Sequence, residues 1–209
     1  MLVQLLIDNP DSWIVPYATS LKDILTEMGY RVLVFSKHRD VQEGDVLILL
    51  SCERIFSSLS LNKYNLVIHE SALPQGKGWS PLTWQVLEGK DEIPVTLFEA
   101  TDSVDSGRIY GQLFIQLDGT ELNSELKHKQ GLATIDLIVD FFKKYPNIIG
   151  KEQEGKETFY PKRTVKDSEL ILYKTIEEQF NLLRVVDNER YPAFFIKNGV
   201  KYILKIYKA

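Results

Sequence analysis

The feature that most constrains this chain is a series of short, continuous apolar runs interrupted by one interval of helical spacing. Leu2–Asp8, Arg31–Ser36 and Asp45–Leu50 are rich in branched side chains and too short for buried helices, as expected of strands covered on both faces. The first run ends in the turn-forming stretch Asn9-Pro10-Asp11-Ser12. Beyond it Tyr17, Leu21, Ile24, Leu25 and Met28 recur at helical spacing, and Gly29 supplies the stop. Parallel neighbours need a crossover connection, and a helix is the usual one. The order strand, helix, strand, strand therefore predicts an α/β fold on a parallel sheet.

The remainder of the chain extends the pattern. Asn65–His69 reads as a fourth strand that breaks into the loop Glu70–Gly78, and Ser80 as N-cap, Pro81 at the first helical position and Gly89 behind the last turn punctuate a helix. Val95–Glu99 and Gly111–Leu117 read as strands around the polar loop Ala100–Gly107. Leu122, Leu126, Ala133, Leu137 and Phe141 mark one face of a long helix capped near Thr120, closing the unit near Pro146. Residues 150–167 are polar and aperiodic, which predicts a surface connector. Thr175-Ile176-Glu177-Glu178 has the form of a capping box opening a helix that buries Ile176, Phe180 and Leu183. Asn198-Gly199 between Ala193–Lys197 and Val200–Tyr207 signals a hairpin. The expected architecture is a doubly wound, mostly parallel, Rossmann-like sheet over 1–149, with a connector, helix and β-hairpin annex over 150–209 too small to fold alone.

Composition narrows the partners. With 209 residues, 44% apolar and 26% charged, the chain can bury a sizeable core, and a net charge of −4 argues against affinity built on nucleic-acid phosphates. The single cysteine, Cys52, permits no internal disulfide, and no apolar run approaches the ~20 residues that span a bilayer. The amino terminus lacks the basic start and cleavage site of a signal peptide. A cytoplasmic protein engaging neither nucleic acid nor membrane is expected. His38 and His128 sit in polar surroundings apart from His69, so a histidine-based metal site is not expected.

The informative stretch begins at His69, placed at the carboxyl end of a strand where open α/β sheets hold their ligands. The ordered set His69, Ser71, Leu73, Pro74, then Gly78, Pro81 and Trp84, then Val95-Thr96 and Asp105-Ser106-Gly107 resembles the signature of the folate-dependent formyltransferases. Arg163-Thr164, Asp167, Asn181, Leu183-Arg184 and Tyr191-Pro192-Ala193 extend the resemblance toward members acting on amino sugars, including those of pseudaminic acid pathways. Any one of these motifs is common; their order is specific.

The resemblance implies a primary amine attacking the formyl carbon of 10-formyltetrahydrofolate, with no metal. His69 would donate to the oxyanion, and Asp105 would orient it or relay the amine proton. The folate is expected against Ser51, Cys52, Glu53, Arg54 and Ile55 and the loop Asp102, Ser103 and Val104; the acceptor against Asn9, Ser12, Trp13, Ser71, Lys77 and Trp79. One position departs from the pattern: the family's asparagine two residues before the histidine is Val67 here. Losing one oxyanion donor costs about 2.7–4 kcal/mol, and Ser51, Glu53 and Glu70 are the nearby groups that could compensate. Trp13 is equally well read as a stacking platform or as packing under a loop. Gly76-Lys77-Gly78 lacks Walker spacing and reads as a turn, with Lys77 a point charge available to a phosphate. Cys52 reads as a small buried residue. The expected function is N-formylation of a nucleotide-linked amino sugar by a homodimer that pairs through Val200–Tyr207. The alternatives are a non-catalytic folate or nucleotide-sugar binding protein and an enzyme like methionyl-tRNA formyltransferase.

Overall fold

β1 (Leu2–Leu6) is apolar on both faces, and the computed structural model, which describes residues 1–209, sets a parallel strand on either side of it. Val3 pairs with Val32 of β2 (Arg31–Phe35) and with Val46 of β3 (Gly44–Leu49). α1 (Val15–Glu27) makes the crossover and buries Ala18, Leu21 and Leu25. β4 (Asn62–His69) lies parallel to β3, with Leu49 opposite Val67. β5 (Lys77–Gly78) stands outside this sheet and leads into α2 (Pro81–Leu87). β6 (Glu92–Glu99) runs antiparallel between β4 and β7 (Ile109–Gln116), giving the order β2-β1-β3-β4-β6-β7 with one strand reversed. α3 (Asn123–Lys144) then packs beside α1.

Alternation along the strands explains their continuous apolar runs. Val46, Ile48 and Leu50 enter the larger core under α1 and α3, while Leu47 and Leu49 join Leu6, Val41 and Phe56 on the opposite face. That second face is covered by loops and by the short 3-10 turns His38–Asp40 and Leu59–Leu61. The polar exception in β1, Gln4, is fully buried and satisfied: its side-chain amide donates to Asn62 Oδ1 at 2.7 Å and Gln42 O at 2.8 Å, and its Oε1 accepts Gln42 N–H at 2.9 Å.

The chain past α3 is more structured than its polarity predicts. β8 (Phe159–Tyr160), inside the expected connector, pairs parallel with β5. α4 (Phe180–Val185) packs on α2, and β9 (Ala193–Lys197) and β10 (Val200–Leu204) form the hairpin, with Asn198 and Gly199 both at positive φ. The hairpin stops at Leu204 rather than Tyr207. α3 starts at Asn123, not near Thr120, because the Glu125 carboxylate accepts the Leu122 N–H at 2.8 Å while Thr120 turns back onto Asp118. The Thr175–Glu178 box forms but opens only a 3-10 turn, leaving Ile176 73% exposed where burial was expected; Leu183 is buried as read.

Candidate active site

The sheet order sets the location of the site. β2 and β3 leave β1 on opposite sides, so their loops diverge and open a crevice over the carboxyl ends of β1 and β3. The loops after β1, β3 and β4 line it. Three of the four non-glycine residues held in the left-handed region border this crevice: Ser51 (φ 51°), Ser80 (φ 49°) and Asp105 (φ 52°). Such backbone is costly and persists where surrounding structure imposes it, commonly at functional sites.

His69 ends β4 opposite Thr96 and is 7% exposed. Its Nε2–H donates to Gly76 O at 2.9 Å, since a carbonyl can only accept, and this fixes the ring. Nδ1 has no protein partner. Asp105 Oδ2 lies 3.8 Å from Nε2 and accepts the Gly78 N–H at 2.9 Å. The expected pair is thus brought together, with backbone of the Gly76–Gly78 turn between the two groups. Gly107 permits the return of the Asp105 loop: a Cβ there would stand 1.9 Å from Glu99 O.

The connector clamps both loops. Gly76 N–H donates to Thr158 Oγ1 at 2.8 Å, Lys77 N–H to Thr158 O at 2.9 Å, and Trp79 N–H to Tyr160 O at 3.1 Å. On the other loop, the Gln153 amide donates to Asp105 O at 3.0 Å and Gly107 O at 2.9 Å. Trp84 stacks on Tyr160 and donates to Pro161 O at 2.9 Å, so this motif tryptophan secures the connector.

Two cavities meet at His69, one toward each face of the sheet. One, of about 390 Å³, lies on the Val67 side and is bordered by Phe98, Val104 and Asp105; the other, of about 380 Å³, runs under α3 past Trp13, Glu70 and Gln130. Ser51, Cys52, Glu53 and Trp79 line both. Arg54, Ile55 and Val104 join the first, whereas Asp102 and Ser103 line neither. Val67 faces the first cavity beside His69, as strand alternation requires, and offers it no hydrogen bond.

The acceptor-side candidates divide. Trp13 packs edge-on to Tyr17 and also lines the α3-side cavity; Trp79 is 47% exposed at the junction, with Lys162 Nζ 4.5 Å over its ring. Asn9 instead donates to Glu53 Oε1 at 2.7 Å, and Ser12 is buried in the turn outside both cavities. Ser71 is 1% exposed, with an unpartnered hydroxyl beneath the loop. Lys77 is 2% exposed and bonds Ser106 Oγ at 2.8 Å and Glu157 Oε1 at 2.5 Å, so the structure commits its ammonium to the loop rather than to a phosphate. Gln130 and Asn123 of α3 enter the second cavity unannounced by any motif; their place outside the apolar face of α3 was the only sign in the sequence.

Asp8, His38 and Cys52 present one ligand atom each within 4.8 Å of one another. Asp8 is engaged in structure: Oδ1 accepts Glu53 N–H at 2.8 Å, and Oδ2 accepts Arg54 N–H at 3.0 Å and contacts His38 Nε2 at 3.1 Å. Burial, with the Asp8 charge added, pushes the Cys52 thiol up to about 12, and the thiol donates to Leu6 O at 3.3 Å. This trio ties the loop after β3 to β1.

A sequence profile described as formyl transferase matches residues 34–139, half of the chain, spanning β3, β4, His69 and Asp105. The chain belongs to the formyl transferase family. It is a formyltransferase enzyme. Solved structures share its fold at low identity. A methionyl-tRNA formyltransferase from Clostridium thermocellum superposes with a TM-score of 0.83 at 18% identity, covering 100% of this chain and 92% of that one. A 4-N formyltransferase from Francisella tularensis gives 0.76 at 16%, covering 100% and 98%. HypX from Aquifex aeolicus in complex with tetrahydrofolic acid gives 0.78 at 14%, covering 98% of this chain but only 37% of HypX. The profile and the fold thus agree with the resemblance carried by the His69–Pro74 and Asp105–Gly107 motifs.

Proposed function

We propose that this formyltransferase moves the formyl group of 10-formyltetrahydrofolate to a primary amine of a nucleotide-linked amino sugar, of the pseudaminic acid type among others. The observation that carries the reading is the meeting of two cavities at His69, with Asp105 on the Val67 side 3.8 Å from its ring, which lets a donor and an acceptor approach one carbon from opposite sides of the sheet. The tetrahydrofolic acid in HypX supports the choice of donor, and a structural neighbour described as a sugar N-formyltransferase from Shewanella sp., with a TM-score of 0.71 at 17% identity over 99% of this chain and 97% of that one, supports the choice of acceptor.

In this reading the folate occupies the Val67-side cavity along Ser51–Ile55 and Val104, and the sugar occupies the α3-side cavity between Trp13 and Trp79. The amine nitrogen bonds to the formyl carbon, and charge develops on the formyl oxygen. His69, protonated on the free Nδ1, supplies a donor for that oxygen, and Asp105 balances the ring charge from 3.8 Å. The bond from carbon to the folate nitrogen then breaks, and that nitrogen takes the proton the amine has lost. The proposed transfer calls for no metal, because these groups supply the charge stabilisation. We also propose a homodimer paired through the terminal hairpin.

The test is incubation with the donor and a panel of UDP-, GDP-, CMP- and dTDP-linked amino sugars, read by a mass gain of one formyl group. Val67→Ala is expected to stay active, and His69→Asn and Asp105→Ala to lose about 10²–10³ in rate. Indifference to both substitutions refutes the assignment.

A further inference from the structure

The α3-side cavity holds a carboxylate that the transfer chemistry above does not use. Glu70 follows His69 directly but points to the opposite face of the sheet, under α3. Gln130 Nε2 donates to its Oε1 at 2.6 Å, and Gln85 Nε2 holds its backbone carbonyl at 2.5 Å. Oε2 has no protein partner, and the residue lines the cavity shared with His69. No lysine or arginine pairs with Glu70. Of the other charged side chains on this cavity, Lys127 of α3 bonds Asp187 Oδ2 at 3.1 Å, and Glu53, which accepts from Asn9 at 2.7 Å, is exposed to solvent. A half-buried carboxylate with no salt-bridge partner, open on one oxygen to a cavity, is complementary to a small cation.

We propose that Glu70 binds the acceptor's ammonium group and deprotonates it beside His69. The assignment rests on the formyl-transfer reading, and it concerns the step before transfer. One N–H bond breaks, its electron pair stays on nitrogen as the attacking lone pair, and the proton passes to Glu70 Oε2, leaving a neutral carboxylic acid that later returns its proton to solvent. An amine that enters as ammonium is thereby converted to the nucleophile only where the formyl carbon waits. The surroundings favour a base at this position, since burial raises the Glu70 carboxyl above the usual glutamate value, with the His69 charge and the Gln130 hydrogen bond opposing and the Asp105 charge adding. A base whose pKa moves toward that of its partner exchanges protons most efficiently near neutral pH.

The experiment is the pH profile of kcat/KM for whichever panel sugar the full-length wild-type enzyme formylates fastest, measured with Glu70→Gln and Gln130→Ala. Glu70→Gln is expected to lose about 10²-fold at pH 7, to move the acid limb up to the amine's own ionisation, and to recover toward wild type above it, with the KM for folate unchanged. Gln130→Ala keeps the carboxylate but removes the donor that favours its charged form, so its acid limb moves up by a smaller step. The second variant stands as the test if the first fails to fold. An acid limb unmoved in the folded variants, with any loss uniform across pH, overturns the role of Glu70 while leaving formyl transfer intact. A wild-type enzyme that formylates no panel member overturns the underlying reading as well.

Discussion

At Ser80 the sequence signal and its physical basis part. Serine before proline is the expected N-cap, and Ser80 does precede α2, yet its side chain makes no capping hydrogen bond and its backbone is left-handed. An L-residue there costs about 1–2 kcal/mol, against which glycine would add some unfolded-state entropy. Ser80→Gly is therefore expected to stabilise the fold by about 0.5–1 kcal/mol, raising the urea midpoint without changing the slope; a lower midpoint would contradict this account. Lys77 gives the same lesson from a charge. Its place between two glycines suggested a free cation, but its neighbour in space, Glu157, is eighty residues away in sequence. His69 and Asp105 were legible because their motifs are local and ordered. Glu70 was visible only as a nearby candidate, because its significance depends on the cavity and on Gln130.

Among the elements, the short α4 carries more than its length suggests. Arg184 is 2% exposed; it donates to Glu121 Oε2 at 3.0 Å, Glu121 O at 3.1 Å and Asn181 Oδ1 at 3.0 Å, while Lys129 takes Glu121 Oε1 at 2.5 Å. This network joins the carboxyl-terminal segment to the start of α3. Arg184→Ala removes the charge-assisted bonds to Glu121 and leaves that carboxylate with Lys129 and the Asp118 and Gly119 N–H groups, and an unfolding free energy lower by about 1.5–3 kcal/mol is expected. Burial would raise the Glu121 carboxyl, but the Lys129 hydrogen bond and the backbone donors outweigh it and hold the group below its ordinary 4.5. A carboxyl depressed in the folded state stabilises the fold above its unfolded value and loses that contribution as pH falls through the folded one. Denaturation midpoints measured downward from pH 6 should accordingly fall less steeply in Lys129→Met than in wild type below about pH 4.5. The connector shows why polarity misleads at this scale: Gln153 and Thr158 are spent on loop backbone, contacts that leave no periodic trace.

For the molecule as a whole, the terminal hairpin leaves Ile196, Val200, Tyr202 and Ile203 each at least 46% exposed. Exposed strand edges of this kind pair readily. Light scattering is expected to give the mass of a dimer for the full chain and of a monomer for Ile203→Glu with the fold retained; a monomeric wild type would remove the pairing proposal. The sequence by itself determined the sheet's strands, the hairpin turn and the His69 and Asp105 motifs, because each depends on periodicity or on residues close in the chain. Tertiary structure alone decided that β6 runs backwards, that the connector straps both loops and that Lys77 is spoken for. It also placed two cavities back to back across His69, since each of these rests on pairing between segments that no local pattern records.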